Sequence, residues 1–472
     1  MIDSAVRIES VEIKNFKNVG YGYLRTGNCK KNGRSSILGL YGQNGSGKTA
    51  LIDSLELLRL SLSGKTVPAR FADYINVDSE SATIKYGFSV RDLNRDRTFS
   101  VFYEVSIRRD ADEAERNTEQ PFDESFERRT KLTLFGETLS FAAESEDVKA
   151  RQKRVIDTKT EAVFVPKKSY GELIGGGRET RTELLVAKRI ALKSSRSFIF
   201  SRELLEVLRR NGMENDCRFI MESLVFFGNF ELFVINTQNS GQISMNILPL
   251  TYNYTENGKV VIGEFLLRLD EPSLIPESAL PVVKKVIGSM NIVLRQLVPG
   301  LTIAIKELGL QLYPNGTSGC RVQLVSNKNS KEIPLQCESE GIKKLISVLQ
   351  LLITLYNKSS MTVALDELDS GIFEYLLGEI LRIISEKGRG QLIFTSHNLR
   401  PLETLDKCFI AFTTTNPENR YISMRNVKMS GNLRDFYYRD IILGEQSEPV
   451  YEPTNNSEIA LAFREAGVRD AT

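Results

Sequence analysis

The sequence predicts an α/β protein, a mixed sheet with an added antiparallel β layer and a mainly helical insertion. Three observations carry this. Ser36 to Tyr41 (SILGLY) is an apolar run that leads straight into a glycine-rich turn, and Ala50 to Leu60 then places Leu51, Ile52, Leu55 and Leu58 at helical spacing. Residues 80 to 165 hold alternating runs such as ATIKYGFSV and FSVFYEVSI, the period of half-buried antiparallel strands. Beyond residue 299, strands and helices alternate again, as where an α/β unit closes on itself.

Each element follows from local pattern. Residues 6 to 13 (VRIESVEI) alternate apolar and polar side chains and predict a first strand. Asp110 to Arg129, charged and holding one proline, predicts an exposed loop or short helix. From about 180 to 230 the spacing is helical (TELLVAKRIALK, SRELLEVLRR, DCRFIMESLVFF), and Ser273 to Leu297 repeats that character. LTIAIKEL, LQLYP and CRVQLVSN predict strands, Ile342 to Leu355 a helix, and Thr362 to Leu365 and Leu392 to Thr395 short buried strands. The tail from about 445, with Pro449, Pro453 and Asn455-Asn456, predicts loose packing. The division expected is 1–165, an N-terminal lobe; 166–298, a helical, basic insertion; 299–430, a C-terminal lobe; and 431–472, a helix and tail. A chain of 472 residues suits two to three compact units.

Composition excludes several classes. With 41% hydrophobic and 26% charged residues the chain has material for a large core and no signature of disorder. Lys plus Arg (62) nearly cancel Asp plus Glu (60), so attraction to a polyanion requires local clustering. One cluster exists: between Lys149 and Arg196, thirteen basic residues face five acidic ones. It suits a nucleic-acid backbone, an acidic protein or simply a solvated face. The five cysteines (Cys29, Cys217, Cys320, Cys337, Cys408) lack C-x-x-C or ligand spacing and read as free thiols in a reducing cytosol. Charges at Asp3, Arg7 and Glu9 argue against a signal peptide. The longest apolar stretch, Leu345 to Tyr356, is too short to span a bilayer and reads as a buried helix. A cytoplasmic chain with no membrane segment is expected.

The chemistry centres on Gly42-Gln43-Asn44-Gly45-Ser46-Gly47-Lys48-Thr49, which fits G-x-x-x-x-G-K-[ST] in the strand–loop–helix context that motif requires. Its glycines (Gly42, Gly45, Gly47), with Asn44 and Ser46, let backbone N–H groups converge on an anion at a helix N-terminus. Lys48 then reaches the β- and γ-phosphates, and Thr49 helps hold Mg²⁺. Met361 to Glu367 is an apolar strand ending in two carboxylates, placing Asp366 to bind Mg²⁺ and Glu367 to take a proton from the attacking water. ATP and Mg²⁺ are the expected ligands, and catalysis is expected from Glu367 and Lys48.

The order of motifs resembles that of ABC-type ATPase heads, closest to the soluble RecF, Rad50 and SMC-like proteins. Ser339-Glu340-Gly341-Ile342-Lys343-Lys344 resembles a divergent ABC signature, in which Ser339 and Gly341 would contact the γ-phosphate bound to a partner subunit; Glu340 replaces the usual glycine. Asp369-Ser370-Gly371 resembles the D-loop at the dimer interface. Thr395-Ser396-His397-Asn398 resembles the switch strand, and His397, the sole histidine, would polarise the γ-phosphate. Gln152 and, more weakly, Gln120 are candidates for the Q-loop. Each chain carries the set once, which implies a head-to-head dimer, or a higher oligomer, sandwiching two ATP molecules. The stretch from Lys48 to Asp366, a separation of 318 residues, holds no sustained heptads, unlike the Rad50 coiled coil.

Within that group the chain resembles the stand-alone ABC-type ATPases of bacterial anti-phage systems, with PARIS systems nearest in domain order and size. OLD-type nucleases append a Toprim domain, for which the chain after Leu433 to Leu443 is too short. The resemblance therefore implies a sensor and scaffold controlling a separate effector nuclease, triggered by a phage product, acidic if it docks on the basic insertion. The alternative is a RecF-like DNA-binding repair ATPase. The insertion and divergent signature argue against a transporter subunit.

Overall fold

The structure is a computed structural model. It describes residues 3–27, 35–110, 131–143, 153–160, 162–163, 166–174, 177–210, 215–236, 247–256, 259–268, 271–313, 316, 318–328, 331–423, 433–443, 448–452 and 454–469.

Two six-stranded sheets form the framework. The first is antiparallel, in the order β2-β1-β4-β5-β6-β7, from β1 (Ser4–Phe16), β2 (Val19–Arg25), β4 (Ser81–Asp92), β5 (Arg97–Asp110), β6 (Lys131–Ala143) and β7 (Lys153–Asp157). Its strands alternate buried and partly exposed residues, as a sheet with one face on a core must. The second runs β18-β17-β3-β16-β15-β8, from β3 (Ser36–Tyr41), β8 (Leu232–Ile235), β15 (Thr362–Leu365), β16 (Gln391–Thr395), β17 (Ile410–Thr413) and β18 (Tyr421–Ser423). All its pairings are parallel except β17 with β18.

This second sheet is covered on both faces. The antiparallel sheet, α1 (Lys48–Leu62), α2 (Lys167–Ile174), α3 (Arg178–Lys193), α4 (Arg202–Arg210) and α5 (Asp216–Phe230) share one core with Leu38, Leu40, Ala364 and Ile393. The alternate residues Ile37, Tyr41, Val363, Leu365, Leu392 and Phe394 point into a second core. That core is built with α6 (Leu280–Leu297), α7 (Glu340–Asn357), α8 (Glu374–Lys387) and α9 (Arg400–Thr404). The antiparallel sheet is pinned to the parallel one by Gln391, whose amide donates to Ile8 O and Thr26 O and accepts from Ile8 N at 3.0 Å beside the β1 bulge.

The remaining strands are a hairpin, β9 (Ile247–Glu256) with β10 (Lys259–Arg268), and a sheet of β11 (Ser273–Pro276), β12 (Leu301–Leu312), β13 (Ser318–Lys328) and β14 (Lys331–Pro334). LTIAIKEL and Leu310 to Leu312 thus belong to one bulged strand, which ends before the rest of LQLYP. The span 166–298, expected to be mainly helical, holds these helices together with four strands. Its β8 pairs with β15 in the parallel sheet, since LFVI is too short to declare itself by period and is recognised only by its partner. Among the described residues the longest helices, α6 and α7, have 18 residues each. None is long and apolar enough to cross a membrane.

Two further expectations change. Cys217, Cys320 and Cys337 are free thiols, but Cys408 is disulfide-bonded, a pairing set by spatial proximity that spacing does not reveal. Residues 448–452, expected to be loose, are seated, with Val450 2% exposed. α10 (Leu433–Leu443), the helix expected there, packs on the core: Leu433 and Tyr437 are buried, and the Tyr437 ring stacks on Phe412 at 4.8 Å. α11 (Asn456–Arg469) follows. Residues 111–129, with Gln120, and also Gln152 lie outside the described residues.

Candidate functional site

Strand order builds the site. β16 lies between β3 and β15, so the carboxyl ends of three adjacent parallel strands, each about 4.8 Å from the next, carry the glycine loop, the residues after Thr395 and the acidic pair. Ligands of open α/β sheets bind at this edge. A cleft of about 500 Å³ opens there, lined by Lys17, Asn18, Asn44, Gly45, Gly47, Lys48, Thr49, Ala50, Asp366, Glu367, Thr395 and His397.

The loop between β3 and α1 needs its glycines: Gly42, Gly45 and Gly47 take φ of 154°, 74° and 95°. A Cβ on Gly42 would sit 1.7 Å from the Thr413 hydroxyl. Lys48, 7% exposed, donates to the carbonyls of Gly42 at 2.8 Å and Gln43 at 2.9 Å. Burial lowers its pKa, opposed by the charges of Asp366, Glu367 and Asp369. An ammonium held in a glycine loop beside carboxylates has the chemistry to hold an anion that arrives with a cation.

Thr395 organises the acidic pair. Its hydroxyl donates to Asp366 Oδ1 at 2.6 Å and accepts the Glu367 N–H at 2.8 Å. Asp366 N also donates to Ile235 O at 2.9 Å, tying the pair to β8. Glu367 takes φ 49°, a left-handed backbone rare for a non-glycine residue. His397 is exposed, and its N–H donates to Asp369 Oδ2 at 3.1 Å, as does that of Asn398 at 2.9 Å. Asp369 thus braces the histidine loop of its own chain.

Asn44, Gly45, Gly47, Lys48, Thr49, Asp366, Glu367 and His397 therefore converge on the cleft, with Gly42 and Ser46 in the same loop. Ser339 and Gly341 do not line it. Ser339, exposed, caps α7 by accepting the Ile342 N–H at 3.4 Å. Gly341 packs its backbone on Gly371, where a Cβ would meet Gly371 O at 1.8 Å. Lys344, 5% exposed in the same helix, has a pKa lowered by burial, opposed by Glu367, Asp366 and Asp369.

Sequence reasoning missed Lys17, Asn18 and the bracing role of Thr395. Lys17 (φ 54°) sits in the tight turn between β1 and β2, paired with Asp53 of α1 and 4.1 Å from the Tyr74 ring centroid. Burial raises the Asp53 pKa, and Lys17 opposes the shift. Asn18 donates to Gly45 O in the glycine loop. No periodicity marks these residues; the one local signal is two polar residues in a two-residue turn.

Part of the basic segment is engaged within the chain. Arg154 pairs with Asp157 at 2.9 Å and Lys159 with Glu104 at 2.8 Å, while Lys188 donates to the carbonyls of Thr160 and Ala162. Arg178, Arg181, Arg189 and Lys193 remain exposed on α3.

Thr49 and Asp366 face one cleft with a hydroxyl and a carboxylate, a donor set that suits Mg²⁺ when phosphates and water complete its shell. Together, the sheet edge, glycine loop and acidic strand end define an α/β fold with a phosphate-loop arrangement at the carboxyl edge of its parallel sheet. No family model matches the sequence, and no curated protein matches it. Among solved structures the chain is similar to an SMC head bound to the C-winged helix domain of ScpA (TM-score 0.42, 13% identity, 88% of this chain and 97% of that one). It is also similar to the SMC head domain from Thermotoga maritima (0.37, 14%, 90% and 100%). A third is the recombination mediator protein RecF-ATPrS (0.36, 11%, 88% and 98%).

Proposed function

We propose that this chain binds ATP with Mg²⁺ and hydrolyses it. The carrying observation is the convergence of Lys48, Thr49, Asp366, Glu367 and His397 on one cleft at the carboxyl edge of a parallel sheet. The glycine-loop N–H groups and Lys48 bind the phosphates, and Thr49 and Asp366 hold Mg²⁺, which when bound neutralises charge developing on them. Glu367 accepts a proton from the attacking water. His397 orients the γ-phosphate. Glu367→Gln is expected to retain ATP binding and hydrolyse at least about a hundredfold more slowly, the usual contribution of a positioned base; near-normal turnover would remove Glu367 from that role.

The fuller reading is a nucleotide-dependent dimer. Ser339 sits away from its own chain's cleft, as a residue serving a partner's nucleotide must. ATP is expected to double the mass of the Glu367→Gln protein in sedimentation, and a monomer with ATP bound would refute the sandwich. The sensor-and-scaffold role, with a separate effector nuclease in anti-phage defence, is proposed on the motif resemblance; purifying Glu367→Gln from its native genomic context with ATP tests it. Recovery of a stoichiometric nuclease supports it. The exposed arginines of α3 keep DNA as the second reading, which salt-sensitive stimulation of ATPase activity by DNA would favour.

A further inference from the structure

We propose that residues 448–452 form a strap that positions the phosphate loop through Gln43, an inference that rests on the ATP-binding reading above. The strap lies far along the chain yet ends on the loop: the Glu452 N–H donates to Gln43 Oε1 at 2.9 Å. Its other residues are anchored where the chain leaves β17. The Glu448 carboxylate accepts from Asn416 Nδ2 at 3.0 Å and Asn419 Nδ2 at 3.1 Å. Thr415 N donates to Pro449 O at 2.8 Å. Val450 is buried in the core that also holds Tyr41, the residue before the loop.

Gln43 is the internal hinge of that loop. Its carbonyl accepts from Lys48 Nζ at 2.9 Å and from the Ser46 hydroxyl, while Ser46 also bonds the Thr413 hydroxyl at the end of β17. The loop is thus gripped from two sides by one stretch of chain: Thr413 holds Ser46, and the strap, standing on Thr415 to Asn419, holds the Gln43 side chain. A loop with three glycines at positive φ gains little order from its own backbone. Restraining Gln43 raises the fraction of chains whose loop is ready for phosphate, and apparent affinity scales with that fraction.

Nucleotide binding and steady-state kinetics of four variants test this. Gln43→Leu removes the acceptor, Glu452→Pro removes the donor, and the double variant removes both. Glu452→Ala keeps the backbone N–H. Each of the first two is expected to raise Kd and KM for ATP about fivefold, the worth of one neutral hydrogen bond, with kcat within about twofold. The double variant should be no worse than either single, because the two substitutions remove one interaction, and Glu452→Ala should match the unaltered chain. Melting temperatures measured alongside separate this from unfolding. Unchanged or tighter ATP binding in both singles, or additive losses in the double, overturns the strap alone. Failure of the unaltered chain to bind ATP overturns the site reading and the strap with it.

Discussion

Replacing Thr395 with valine tests the architecture of the acidic pair. Thr395 is 1% exposed, and valine matches its shape while lacking the hydroxyl. The substitution leaves the Glu367 N–H without the acceptor at 2.8 Å and deprives Asp366 of a donor at 2.6 Å. An unsatisfied buried N–H costs about 1–3 kcal/mol, and a hydrogen bond to a charged group contributes about 1.5–3 kcal/mol. Because one hydroxyl makes both bonds and the site relaxes, the expected loss of stability is about 2–4 kcal/mol. The loss reaches the chemistry through backbone strain. A non-glycine residue held at positive φ costs about 1–3 kcal/mol, so Glu367, released at its N–H, has reason to leave φ 49° and carry its carboxylate away. Denaturant unfolding measures the first effect, and ATP turnover with a separate binding measurement the second. Turnover should fall at least about tenfold, equivalent to about 1.4 kcal/mol on the barrier, with ATP affinity within about threefold. Thr395→Ser should recover most of both. A valine variant with unaltered stability and turnover would refute the bracing role.

Lys48→Ala removes the ammonium that the glycine loop encloses and should weaken ATP binding by at least about a hundredfold, roughly the 3 kcal/mol of a buried charge-assisted contact; calorimetric titration reads it, and unchanged affinity would mean the loop binds no phosphate. Gly341→Ala should destabilise by about 1–3 kcal/mol, because a Cβ 1.8 Å from Gly371 O forces the start of α7 away from the turn after Asp369; an unaltered melting temperature would show that the two segments yield freely. Glu137 predicts a pH dependence. Burial raises its pKa above the ordinary 4.5, although Ser197, the Phe198 N–H and Tyr103 pull it down. The folded chain therefore holds this proton to higher pH than the unfolded one, and the stability it contributes is full below 4.5 and lost as pH rises through the folded value. Unfolding free energy measured above pH 4.5 should fall less steeply in Glu137→Gln, and an identical slope would assign the dependence elsewhere.

Sequence alone determined the pieces whose cause is local. A glycine loop between an apolar strand and a helix, an apolar strand that ends in two carboxylates, and alternation through residues 82–107 are each dictated by neighbours along the chain. Tertiary structure decided everything that depends on strand order. Placing β16 between β3 and β15 brings Thr395 against Asp366 across 29 residues, and the exit of β17 brings Glu452 to Gln43 across 409. β8 became a strand by pairing with β15, and Lys17 became part of the cleft because the first β turn lies over α1. Such contacts leave no period in the sequence, since their stability comes from burial and hydrogen bonding between segments that meet only once the sheets have packed.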